Sequence, residues 1–264
     1  MKRLAFIMVF LTATALFMWL PSARADATTT ISEISPGASI SACGITSSDL
    51  AVIQTIQNDP TLDYSSELQQ ELAARKQLLT KIILCAKTDA FKQEMDLANT
   101  VVDPSFQTLK NQWLSKLSDA VTYYDLQLGK VNNAGVSGTE SIAKEVLLWR
   151  GSDFVSLAEN VSDFIIWSNN QVFFTSAESR LAQIKNLVSS PLFSENLDVQ
   201  NDFGEAATSL TTAESENLSA KNAFAESLSP EESLNFISQS LVALSSTYQH
   251  FFDVGGLIQS LLPQ

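Results

Sequence analysis

The chain has 264 residues, 29 acidic against 16 basic side chains, and a formal charge of −13. That balance repels phosphate backbones and anionic headgroups, so nucleic acid is not an expected partner. One histidine and two cysteines fall short of a structural zinc site.

The first 25 residues carry the strongest local signal. Lys2 and Arg3 precede the apolar run Leu4 to Leu20, Pro21 interrupts it, and Ala23-Arg24-Ala25 follows. This is the charged start, apolar middle and small-residue exit of a secretory signal peptide, with cleavage expected before Asp26. An uncleaved anchor is the rival, but the run is short for a hydrocarbon core of about 30 Å. Losing the cations Lys2, Arg3 and Arg24 moves the formal charge from −13 to −16. Residues 26–45 are rich in Ser, Thr and Ala, with Pro36-Gly37 among them, and read as a flexible leader. Residues 46–264 read as one helical domain.

Export gives the two cysteines a meaning. In an oxidising compartment Cys43 and Cys85 are expected to pair. The bridge would close a loop of about 40 residues and contribute roughly 4 kcal/mol in the chain-entropy account.

From Ser48 onward the apolar residues fall at helical spacing, and no alternating stretch is long enough for a strand. A short helix is expected over Ser48–Gln57, ended by Asn58-Asp59-Pro60. A long one runs from Asp63 to Asn99, with Leu68, Leu72, Leu79, Ile82, Ile83, Ala86 and Ala90 as its stripe. Asp103-Pro104 opens the third as cap and first turn. Its stripe is Phe106, Leu109, Trp113, Leu117, Ala120, Tyr124, Leu128 and Val131. Asn132 to Gly138 is the clearest turn. The fourth helix is expected from near Thr139 to Val188, with Gly151-Ser152-Asp153 as a point of division. Its seam is Leu147, Phe154, Leu157, Val161, Phe164, Ser168 and Val172. Ser190-Pro191 ends it. Asp202-Phe203-Gly204-Glu205 resembles a capping box for the fifth helix, which carries Leu210, Ala213, Ala220, Phe224 and Leu228. Ser229-Pro230-Glu231-Glu232 is a second box, with Ser as cap and Glu at the third position. The last helix carries Leu234, Ile237, Leu241, Leu244, Tyr248 and Phe252, and Gly255-Gly256 is expected to break it. Helices this long, joined by short loops, predict an all-α, elongated antiparallel bundle of five or six helices with coiled-coil-like packing.

Catalytic constellations are missing from this pattern. His250 is the single histidine, and no nucleophile motif accompanies it. Thr247 stands three residues before it, so the Glu-x-x-His pattern of di-metal bundles is not met. No catalytic residue, cofactor or metal ligand is assigned. Aromatics concentrate in the third and fourth helices, where Trp113, Tyr123, Trp149, Trp167 and Phe174 are candidate binding residues. Core filling is the competing role. Of the adjacent pairs Tyr123-Tyr124 and Phe173-Phe174, one member each must point away from the shared core.

The expectation is an exported, non-enzymatic bundle that binds or scaffolds an unknown protein or envelope component. A membrane-active helical protein and an extracytoplasmic carboxylate enzyme are the alternatives. Intact-mass analysis of the secreted product checks the start of this argument. A chain beginning at Asp26, lighter by two hydrogens before reduction, is expected. Recovery of Met1 would overturn the cleavage.

Overall fold

The computed structural model describes residues 47–226 and 229–262. The signal peptide, the leader and Cys43 lie outside the described residues. Seven α-helical segments follow one another: α1 (Ser47–Gln57), α2 (Tyr64–Asn99), α3 (Gln107–Asn133), α4 (Val136–Trp149), α5 (Val155–Val188), α6 (Leu197–Glu226) and α7 (Pro230–Leu261). A 3₁₀ turn, Pro104–Phe106, precedes α3, and a π turn, Arg150–Phe154, joins α4 to α5 without a break. The protein is thus an all-α bundle, and among the described residues there is no strand.

Local capping sets several helix starts. The Asp63 carboxylate accepts from the Ser66 amide at 2.9 Å, and Asp103 accepts from Ser105 at 2.8 Å. Ser229 and Glu232 form the reciprocal box expected of them, at 3.3 and 3.2 Å. Each pair satisfies amides that a helix N-terminus otherwise leaves open. At the other end of α2, the buried Lys110 ammonium donates to the carbonyls of Ala98 and Thr100 at 2.8 and 2.7 Å. A cation on the final carbonyls offsets the negative end of the helix dipole and fixes the α2–α3 corner.

Apart from the continuous α4–α5 rod, consecutive helices pack antiparallel. Lys76 reaches the Asn132 carbonyl and Lys87 reaches Asp125, which sets α3 against α2. Gln127 on α3 donates to Glu145 on α4 at 2.7 Å. Between α5 and α6, Gln171 and Asn217 exchange amide hydrogen bonds, each at 3.0 Å. The Trp167 indole N–H beside them donates to the Asn217 carbonyl at 3.3 Å.

Burial follows a heptad spacing. On the third rod Phe106, Lys110, Trp113, Leu117, Ala120, Tyr124, Gln127 and Val131 are all buried, in alternating steps of four and three. On α7 the same steps run through Ser233, Ile237, Ser240, Leu244, Thr247, Phe251, Val254 and Ile258. Two apolar clusters result. The first joins α2, α3, α4 and the first half of α5 with the α6–α7 tip. The second joins the rest of α5 with the remainder of α6 and α7. Helix α5 therefore lines both.

Several expectations are corrected. The stripe drawn through Leu147 and Phe154 assumed an unbroken seven-residue step. The π turn inserts one residue, so Val146 is buried and Leu147 is 72% exposed. The break expected within 151–153 is this same insertion, which keeps the rod continuous. Asp202 does not start α6: Asn196 accepts from the Val199 amide at 3.0 Å, and Phe193 tucks into the core to hold that turn. Gly255-Gly256 does not end α7, because Val254 and Ile258 are buried on either side. That packing outweighs roughly 1 kcal/mol per glycine. The turn expected over Asn132–Gly138 contracts to Ala134-Gly135, since the Thr139 amide already bonds the Gly135 carbonyl at 2.9 Å. Leu68, Ile82, Val172 and Phe252 are exposed rather than in their stripes. A 3.6-residue count drifts off a 3.5-residue seam over several turns.

Helices α6 and α7 meet along small residues. Contacts between Ser209 and Ser246 and between Glu205 and His250 fix the register. That register sets Ala206, Ala213 and Ala220 level with Thr247, Ser240 and Ser233, all buried. No large side chain separates the two backbones at these levels. Ala213→Leu is accordingly expected to cost about 2–3 kcal/mol through overpacking, while Ser245→Leu on the exposed face stays within about 0.5 kcal/mol. Urea denaturation of the two variants measures the difference.

Candidate functional site

The aromatic residues singled out from the sequence divide into two groups. Trp113, Trp167 and Phe174 are buried. Trp113 meets Phe164 edge-on at 5.1 Å between centroids, and Phe224 of α6 closes the cluster against both. Trp167 packs on Phe106 at 5.2 Å. These rings fill the junction where the α6–α7 tip meets α3 and α5. Tyr123 and Trp149 are half-buried and stacked on each other at 4.0 Å. Their inner neighbour Tyr124 is fully buried, and Phe174 is buried while Phe173 is half exposed. Adjacent helical residues point about 100° apart, so each pair splits between core and surface.

The π turn gathers the polar chemistry of this end. Its Arg150 guanidinium donates to Asp89 on α2 at 3.0 Å and to the Tyr124 hydroxyl at 3.4 Å. It also lies 5.0 Å over the Phe154 ring. One side chain thereby ties α2, α3 and the bulge together. Burial pushes the Tyr124 hydroxyl up in pKa, and the Arg150 contact opposes it.

Beside the bulge lies a cleft of about 310 Å³, lined by Trp113, Lys116, Ser152, Asp153, Ser156, Leu157, Asn160 and Phe224. The wide turn and the Ser side chains open this space, and the Trp113 and Phe224 rings close its floor. It offers one cation, one carboxylate, two hydroxyls and one amide. The paired carboxylates that glycoside hydrolysis requires do not line it. Leu147 and Leu148, each 72% exposed, sit one turn earlier on the same rod.

Two further groups were not legible as sites from the sequence. Asp163 on α5 is buried, and its carboxyl is raised to about 7, first by that burial and then by Glu159 one turn before it. At the other end, Asp202 and Glu205 of α6 meet His250 of α7, with one donor atom from each within 4.8 Å of the others. The first two are one helical turn apart, and the third arrives from the facing helix. No pattern within a single helix reports such a set.

Cys85 is half-buried on α2 and is not a free thiol. Asn160-Val161-Ser162 and Asn217-Leu218-Ser219 match the N-glycosylation pattern, but both asparagines are half-buried and the second is engaged with Gln171. No described helix is long and apolar enough to cross a membrane. Comparison with known proteins returned no matching family model, no matching curated protein and no matching solved structure.

Asp163 gives a pH prediction. Its folded pKa lies above the unfolded value, so the folded state holds the proton longer. The stability that Asp163 contributes is therefore full below about pH 4 and is lost as pH rises through 7, where the ionised group must be accommodated. Asp163→Asn is expected to gain about 1–2 kcal/mol over the native chain at pH 8 and to lose that gain near pH 4. Thermal melts across that range check it; a pH-independent difference would sink the assignment.

Proposed function

We propose that the protein is an exported, non-enzymatic helical bundle that binds or scaffolds a partner at the cell envelope or outside the cell. The observation that carries this reading is the pair Leu147-Leu148. Two adjacent leucines stand 72% exposed on the last turn of α4, directly before a cleft with a charged and polar rim. A large apolar side chain flanked by polar groups is the form in which helices present binding anchors. The Arg150 contacts hold that turn rigid, which lowers the ordering cost of association.

Supporting this reading, the start of the chain has the form of an export signal. In the same reading Cys43 and Cys85 form a disulfide. Coiled-coil-like packing accounts for the heptad burial: a strict 3.5-residue seam makes long helices supercoil with left hand. The aromatic residues hold the platform and are not its contact surface, except where Trp113 floors the cleft.

A photo-reactive amino acid placed at Leu148 in the native host tests the proposal. A discrete cross-linked adduct is expected there and not at the exposed Thr208 of α6. Leu147→Lys with Leu148→Lys should abolish the adduct of a reporter at Lys116 without shifting the melting temperature. Absence of an adduct, or efficient dye release from anionic vesicles, would favour the membrane-active alternative instead.

A further inference from the structure

We propose that Asp202, Glu205 and His250 form a binding site for one divalent transition-metal ion, with zinc the best fit. His250 is the only histidine in the chain. Its Nδ1 is sealed from solvent and makes no hydrogen bond. A buried ring nitrogen without a partner is costly and asks for an explanation. The Glu205 Oε2 lies 3.5 Å away, outside hydrogen-bond geometry. Two donors bound tetrahedrally to one zinc, each at about 2.1 Å, stand about 3.4 Å apart. The spacing is therefore that of two ligands of a common ion. Asp202 completes the set within 4.8 Å, and the rotamer freedom of surface carboxylates closes the remainder.

Acidic clusters alone are common on so acidic a chain. The imidazole distinguishes this one. Nitrogen ligation disfavours calcium and magnesium, which prefer six or more oxygens, and favours zinc and its neighbours in the first transition row. Two carboxylates neutralise a divalent cation, so the occupied site is neutral where the empty one carries two negative charges. Three protein donors leave one position of a tetrahedron for water or for a ligand from another molecule. The site also lies across the α6–α7 pair, so an occupied site would clamp the two helices at the second core.

Tag-free, ¹⁵N-labelled protein titrated with zinc chloride in excess magnesium tests the idea, because its spectrum holds a single imidazole. A large change at Nδ1 is expected, saturating at one equivalent. The melting temperature is expected to rise by about 5 °C when zinc is a hundredfold above its Kd. His250→Gln should weaken binding by roughly tenfold or more, and Glu205→Gln by roughly tenfold. Glu205 is largely exposed, so its variant keeps the test open should His250→Gln fold poorly. An unchanged Nδ1 signal overturns the proposal. So does zinc binding of equal strength in either variant, which would indicate scattered surface carboxylates.

Discussion

The fold rests on one constraint: buried positions recur every 3.5 residues on rods of about thirty residues. On α7 that constraint is met by alternating large and small side chains. Ile237, Leu244, Phe251 and Ile258 supply volume, and Ser233, Ser240 and Thr247 supply close approach. Helix α6 answers with alanines at the matching levels. A seam of this kind is thin, so it contributes contact and order more than apolar volume. The volume is found elsewhere. Phe106, Trp113, Phe164, Trp167 and Phe224 fill the space where the thin α6–α7 pair inserts between thicker neighbours. The division into two apolar clusters follows from this arrangement, and α5 is the element that both depend on.

Much of this was legible because its causes are local or periodic. Asp103 and Ser229 announce helix starts through their own side chains, and the structure keeps both. The long helices show themselves through three-and-four spacing alone. What failed were the positions where tertiary packing overrides local preference. Gly255 and Gly256 look like a stop, yet Val254 and Ile258 carry the helix through them. Asp202-Phe203-Gly204-Glu205 has the letters of a cap, but Asn196 performs the task six residues earlier. Leu147 looked buried because a single inserted residue in a π turn leaves no mark on composition or spacing.

The candidate sites were less legible than the fold, for a related reason. The sequence showed that Tyr123-Tyr124 and Phe173-Phe174 must divide, but which member turns inward depends on the neighbours of each helix. Trp149 was marked as a binding aromatic, and the structure spends it on a stack with Tyr123. Asp163 was one carboxylate among many until burial separated it from the rest. The Asp202, Glu205 and His250 set depends on the register between α6 and α7. Scanning around His250 within its own helix finds only Thr247.

The Gln171–Asn217 exchange has a consequence for assembly of the bundle. A seam that repeats every seven residues is degenerate: sliding one helix past another by a full heptad restores the same apolar pattern. In the α5–α6 pair the packing of Phe164 and Trp167 on Phe224 opposes such a slip at one end. Two amides that satisfy each other at only one offset remove the degeneracy. In any slipped arrangement both lose their partner, at about 1–3 kcal/mol for each unpaired group. Polar residues in the middle of an apolar interface thus act as an alignment key. They reinforce, through polar pairing, the offset that the aromatic junction also selects.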